Sequence, residues 1–288
     1  MQGNVKIIEC PRDAMQGIKT WIPTEDKIRY INLLLKAGFD TIDFGSFVSE
    51  KAVPQMKDTA EVLGKLNLNG ATSRLLAIVA NTRGAESACA FDEIHYLGYP
   101  FSISETFQMR NTNATLEESL VRVDEINRLV QQNKKELVIY LSMGFGNPYG
   151  DAWSPDIAIN WSERIFKEFG VKVIALSDTI GHATPELITQ LFEALVPALP
   201  EVEFGAHLHT LPHESKLKVA AAWNAGCRRF DGAIKGFGGC PMAADELTGN
   251  MPTEQMIAYF QENGIPSGVR LDVLDEALKM AGEIFPTH

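Results

Sequence analysis

A chain of 288 residues, 45% hydrophobic and 22% charged, is long enough to bury a large core without disulfides or structural zinc. Its formal net charge of −11 works against nucleic-acid binding, because the field of the whole molecule repels phosphates, and any anionic ligand needs a local cationic patch. The four cysteines, Cys10, Cys89, Cys227 and Cys240, form no CxxC pair; with no signal-peptide pattern and no apolar run of roughly 18 residues, the chain reads as cytoplasmic, off the membrane, with free thiols.

Short β-branched runs alternate with amphipathic helical patterns, and Gly, Pro, Asn or Asp marks the joints. The first strand is predicted over residues 5–10 (VKIIEC). A helix follows over 24–37, with Ile28, Ile31, Leu34 and Leu35 on one face and Gly38 as its stop. Strand two at 41–44 leads to a helix at 59–66, strand three at 75–79 to a helix at 83–90, and a weaker strand four at 93–97 to a helix at 115–133. Thr115 and Glu118 give that helix a capping box. Strand five at 137–142 pairs with a helix at 155–169, strand six at 171–176 with one at 185–195, and strand seven at 203–209 with one at 214–225. Strand eight begins at 229–232, and helices near 254–263 and 273–284 finish the chain.

Eight strand–helix alternations predict an α/β fold, a single (β/α)8 TIM barrel over residues 1–288, with the C-terminal helices from about 253 packed on it. A Rossmann-like sheet is the runner-up; it wants a GxGxxG fingerprint after an early strand, and the sequence has none.

Barrels of this kind carry their active sites at the C-terminal ends of the strands. Strand seven ends in His207-Leu208-His209, whose period of two puts both imidazoles on one face, within reach of one ion. Asp13 after strand one and Asn250 after strand eight approach the same point where the barrel closes. Two imidazoles with carboxylate and amide oxygens make a fairly hard site without thiolate, suited to Mg²⁺ or Mn²⁺, with Co²⁺ or Zn²⁺ as alternatives. Arg12 beside Asp13 offers a permanently charged fork for a developing oxyanion, or else an ion pair with Asp43 or Asp178. The loop 235–241 (KGFGGCP) sets Cys240 among glycines whose backbone can approach a ligand. Cys89 and Cys227 lie in helical patterns and read as buried hydrophobes, and Cys10 as packing. Lys19, Lys51, Lys57 and Arg110 lie near strand-end loops, where solvation is the expected role and a contact to phosphates the alternative.

The chain resembles 3-hydroxy-3-methylglutaryl-CoA lyase, a family of TIM-barrel metallolyases. The stretches that carry the likeness are VKIIECPRDAMQ, SFVSEKAVPQM at 46–56, LSDTIGHATP at 176–185, HLH, GFGGCP, and TGNMPTE at 248–254. The resemblance implies a divalent cation held by Asp13, His207, His209 and Asn250, and an acyl-CoA substrate cleaved by retro-Claisen chemistry to acetoacetate and acetyl-CoA. It implies catalytic roles for Arg12, Asp43, His207 and Cys240, substrate contacts from Arg12, Gln16, Ser46, Asp178 and Thr179, and a homodimer. Asp43, His207 and Cys240 are the candidates for the base, and Cys240 for the acid that protonates the enolate carbon. The chain departs from the family pattern at Asp43 (usually Glu), at Thr210-Leu211-Pro212-His213 (usually Asp-Thr-Tyr-Gly), at Met242 (usually Tyr) and at Glu246-Leu247-Thr248. The alternatives are a lyase or aldolase for another 3-hydroxyacyl-CoA or a 2-keto acid, or a Claisen-condensing synthase, and, in a different class, a catalytically silent homologue that binds without cleaving.

Overall fold

A computed structural model describes residues 4–239 and 248–285. Eight parallel strands close into a barrel in chain order, with β1 paired to both β2 and β8. The strands are β1 (Lys6–Glu9), β2 (Thr41–Ser46), β3 (Arg74–Ile78), β4 (Ile94–Ser102), β5 (Glu136–Ser142), β6 (Val173–Asp178), β7 (Glu203–Leu208) and β8 (Arg229–Gly232). The helices are α1 (Pro11–Gln16), α2 (Thr24–Ala37), α3 (Thr59–Gly64), α4 (Thr82–Cys89), α5 (Glu105–Thr112), α6 (Leu116–Gln132), α7 (Pro155–Phe169), α8 (Pro185–Ala198), α9 (Ser215–Asn224), α10 (Thr253–Glu262) and α11 (Leu271–Ile284).

Strand periodicity divides the apolar residues into two cores. Leu76, Ile78, Val138, Tyr140, Val173 and Ala175 cluster inside the barrel, while their neighbours Leu75, Ala77, Leu137, Ile139, Ile174 and Leu176 join the larger core beneath the helices. Because both faces are buried, the strands read as nearly continuous apolar runs rather than as an alternation. Serine and threonine caps set the helix starts: Ser104, Thr115, Ser154 and Thr184 each accept a backbone N–H from the first turn.

Three features depart from the sequence expectations, and each shapes the mouth of the barrel. β4 runs to Ser102 and pairs with β5 without a break from Tyr96 to Ser102, past the expected end at 97. Within that stretch a Cβ at Gly98 would meet Ile78 Cδ1 at 2.6 Å and Tyr140 Cε2 at 2.9 Å, so glycine allows the close packing inside the barrel. The short α1 and α5 both arise where no helix was expected. α5 has no apolar stripe; Phe107 and Gln108 are its buried residues, so periodicity gives no signal. Third, the register of β2 shifts between Asp43 and Gly45. The bulge adds one residue and turns Asp43 and Ser46, three apart, toward the same side. Cys227, expected in a helix, falls in the turn between α9 and β8 and is fully buried. No helix among the described residues is long and apolar enough to cross a membrane.

Candidate active site

The end of β7 presents His207 and its near neighbour His209, ring centroids 5.6 Å apart, at the mouth of the barrel. α1 starts directly after β1 with Pro11 in its first turn, and this one tight helix holds Arg12, Asp13 and Gln16 over the same opening. Asp13 Oδ2 lies 3.8 Å from His207 Nε2, and one ligand atom each from Asp13, His207 and His209 lie within 4.8 Å of one another. Asn250 arrives from the far side of the β8 loop through a backbone bridge to His209. Its Nδ2 donates to the Phe237 carbonyl at 2.9 Å, and its amide helps to lower the pKa of the Asp13 carboxyl. The described residues therefore bring together the four predicted ligands: two imidazole nitrogens, a carboxylate and an amide. That donor set fits a divalent cation of the harder kind.

Electrostatics suit Asp13 and His209 to that task. Burial pushes the Asp13 carboxyl up, but Arg12 and the two imidazoles outweigh it and hold it below its ordinary value of 3.8. His209 is lowered to about 4 by burial and by the neighbouring His207, so its ring is neutral at pH 7 with a lone pair free. His207 moves the other way: burial disfavours its charge, but a hydrogen bond and the charge of Asp231 outweigh burial and raise it. Asp231 Oδ2 sits 3.2 Å from His207 Nδ1, and the parallel register places the two residues opposite each other on β7 and β8.

Arg12 is nearly buried and spans the site. Its Nε donates to both Asp43 oxygens, at 3.2 and 3.0 Å, and its Nη1 to Asp13 Oδ1 at 3.1 Å and Gln16 Oε1 at 2.9 Å. The ion pair with Asp43 anticipated as an alternative role thus forms, while the guanidinium also faces the cleft. Burial outweighs Arg12 at Asp43 and lifts that carboxyl to about 6.

A cleft of about 370 Å³ opens over these groups. Arg12, Asp13, Gln16, His207 and His209 line one side, and the hydroxyl residues Ser46, Ser142, Ser177 and Thr179 contribute to the lining around Tyr140. Val48, Val53, Ile78, Pro100 and Phe107 make the apolar side, and Arg110, Asn111 and Thr112 of α5 reach the rim. Arg110 also lies over the Tyr149 ring at 4.7 Å. Such a mixture suits a ligand with an anionic, oxygen-rich end and an apolar or nucleotide-bearing remainder.

Gln16, Ser46 and Thr179 of the predicted substrate set border the cleft. Asp43 and Asp178 do not. Asp178 has the wrong parity on β6: with Val173 and Ala175 inside the barrel, Ser177 faces the site and Asp178 faces the helices. There it accepts backbone N–H bonds from His182 at 2.8 Å and Ala183 at 2.9 Å and lies 3.7 Å from buried Lys218. Lys218 in turn donates to the His209 carbonyl at 3.2 Å, so this pair fixes the backbone that carries His209. Cys240 lies outside the described residues. Thr210 bonds Gly249 through its backbone at 3.0 Å, and Leu211 to His213 pass into an exposed turn. Sequence reasoning missed Asp231, Ser142, Ser177 and Lys218. Ser177 and Asp231 are the register partners of His207, so their face follows from the HxH only once that register is known.

Known proteins resemble this chain over nearly its whole length. The HMGL-like family pattern matches residues 4–280. The chain is 35% identical to the mitochondrial hydroxymethylglutaryl-CoA lyase of Macaca fascicularis over 277 residues, 95% of this chain and 83% of that one. It superimposes on the HMG-CoA lyase of Bacillus subtilis with a TM-score of 0.91 at 32% identity, covering 99% and 96% of the two chains. An HMG-CoA lyase of Acinetobacter baumannii, solved in complex with coenzyme A and 3-methylmalate, gives a TM-score of 0.89 at 30% identity, with 98% and 91% covered. The chain belongs to the HMGL-like family.

Proposed function

We propose that the protein is a carbon–carbon lyase that cleaves 3-hydroxy-3-methylglutaryl-CoA to acetoacetate and acetyl-CoA, with Mg²⁺ or Mn²⁺ held by Asp13, His207, His209 and Asn250. The observation that carries the reading is the convergence of Asp13 and the two imidazoles within 4.8 Å at the edge of a cleft that also presents Arg12. When bound, the cation would orient the oxygen-rich end of the substrate and make its tertiary hydroxyl more acidic.

The reaction removes the proton of the C3 hydroxyl and breaks the C2–C3 bond. The electron pair passes into the thioester as an enolate, and a proton delivered to C2 gives the acetyl thioester. Arg12 would hold the enolate oxygen: its guanidinium lines the cleft, and Asp43 fixes its plane by accepting from two of its nitrogens. Asp43 is off the cleft and spent on Arg12, so we assign it to positioning. Ser46, Ser142, Ser177 and Thr179 supply hydroxyls for the carboxylate end, and Arg110 at the rim suits the phosphates of coenzyme A. Cys240, which lies outside the described residues, keeps the proposed role of acid.

The test is an assay of acetyl-CoA release from 3-hydroxy-3-methylglutaryl-CoA by chelator-treated protein, with Mg²⁺ or Mn²⁺ added back. Cleavage that is lost on chelation and restored by the ion supports the reading. Protein that binds the ion and cleaves other hydroxyacyl or keto-acid substrates but not this thioester contradicts the substrate.

A further inference from the structure

Directly beneath the proposed cation site, β8 carries two charged side chains into the interior of the barrel, Arg229 and Asp231, and both side chains are fully buried. Charges in such a place are expensive unless each has a partner and a purpose. Arg229 has part of an answer: Nη1 lies 3.4 Å from Glu203 Oε1, and the guanidinium stands over the Tyr96 ring at 5.5 Å. Among the described residues, its Nε and Nη2 have no hydrogen-bond partner, and neither do Asp231 Oδ1 and the hydroxyl of Tyr140. Asp231 and Glu203 help hold the Arg229 guanidinium charged against burial. The orphaned atoms are of complementary types, donors on the arginine and an acceptor on the aspartate. The other oxygen of Asp231 is the one on His207 Nδ1, at 3.2 Å. Tyr140 stands edge-on to the same imidazole, with centroids 5.3 Å apart.

We infer that Asp231 is a positioning residue for cation binding: it accepts the Nδ1 proton of His207, so that Nε2 presents its lone pair to the ion, and Arg229, two residues earlier on β8, supplies a buried counter-charge. This rests on the reading that Asp13, His207, His209 and Asn250 hold a divalent cation. A carboxylate behind a ligating imidazole fixes both ring orientation and tautomer and makes the ligand more basic. Among the described residues no carboxylate hydrogen-bonds the His209 ring, so the two imidazoles are not equivalent there, and His207 is the better donor. Cys10 also lies near, its sulfur, a His207 nitrogen and an Asp231 oxygen being within 4.8 Å. It does not make a second cation site: burial, reinforced by Asp231, Asp43, Asp13 and Glu9, holds the thiol protonated, and its sulfur rests on the Ile8 carbonyl at 3.8 Å.

The experiment is Mn²⁺ titration of the full chain by calorimetry, comparing the wild type with Asp231→Asn and Arg229→Met. Asparagine keeps the shape but can turn an N–H toward Nδ1, which forces the ring proton onto Nε2. The expected result is one Mn²⁺ per chain in the wild type and affinity about 10–100-fold weaker in Asp231→Asn, with Arg229→Met weakened in the same direction. Wild-type affinity, within twofold, in a folded Asp231→Asn overturns the inference and leaves the cation site standing; a wild type that binds no Mn²⁺ removes the cation site itself. A readout on the wild type alone covers a variant that does not fold. In ¹⁵N-histidine spectra of the Mg²⁺-loaded protein, His207 should carry its proton on Nδ1, and a proton on Nε2 overturns the proposal.

Discussion

Arg12 does two jobs with one guanidinium, and the arrangement explains why lysine is not an equivalent. Three of its nitrogens are committed to Asp43, Asp13 and Gln16 in a planar array, a geometry an ammonium cannot reproduce. Arg12→Lys keeps the charge but loses the fork, so kcat should fall by about 10²–10³ with a much smaller change in KM, the pattern for a contact made in the transition state. Steady-state kinetics on the thioester decide it; an unchanged kcat removes Arg12 from the chemistry. Glu9 is a residue-scale case of a different kind. It points away from the barrel interior and accepts Ile234 N–H at 2.9 Å and the Thr253 hydroxyl at 2.5 Å, tying β1 to α10. Burial lifts its pKa from 4.5 to about 8. The folded state then retains a proton that the unfolded chain releases above 4.5, so stability falls as pH rises through that interval toward 8. Melting midpoints measured from pH 5 to 8 should decline less steeply in Glu9→Gln than in the wild type. Equal slopes contradict the buried neutral carboxyl.

At the scale of elements, the strand-end loops decide how well the site is built. Gly238 has a φ of +89°, and a Cβ there meets the Asp13 carbonyl at 2.6 Å and Asn250 Nδ2 at 2.8 Å. Gly238→Ala therefore strains the backbone and pushes two proposed ligands apart. Mn²⁺ affinity should drop at least tenfold, about 1.4 kcal/mol, with a lower melting midpoint as well; calorimetry showing intact affinity contradicts the close packing of this loop on α1. The strands and most of the helices were legible in the sequence because β-branched runs, glycine stops and the Thr115–Glu118 capping box are local signals. α1 and α5 were not. α1 is six residues long and follows β1 without a loop, and the amphipathic period cannot be seen in α5. Asp178 shows the limit for side chains. It stands at a strand end, as a site residue should, but alternation along β6 turns it to the helices and gives Ser177 to the cleft. Position along a strand was readable, and the face it presents required the register.

For the whole molecule, barrel closure is what makes a site from residues at opposite ends of the chain. β1 pairs with β8, so Asp13 meets Asn250 across an interval of more than two hundred residues, and His207 joins them from β7. The net charge of −11 gives no general attraction for an acyl-CoA, which leaves recognition to local groups such as Arg12 and Arg110 and to the cation itself. Convergence of four side chains on one ion is the claim on which the proposed chemistry stands. It is tested most directly by anomalous scattering from crystals of the Mn²⁺-loaded protein. The account predicts one strong peak per chain, with Asp13, His207, His209 and Asn250 each contributing a ligand atom at about 2.0–2.3 Å. A peak elsewhere, or one that leaves Asp13 or the imidazoles uncoordinated, contradicts it.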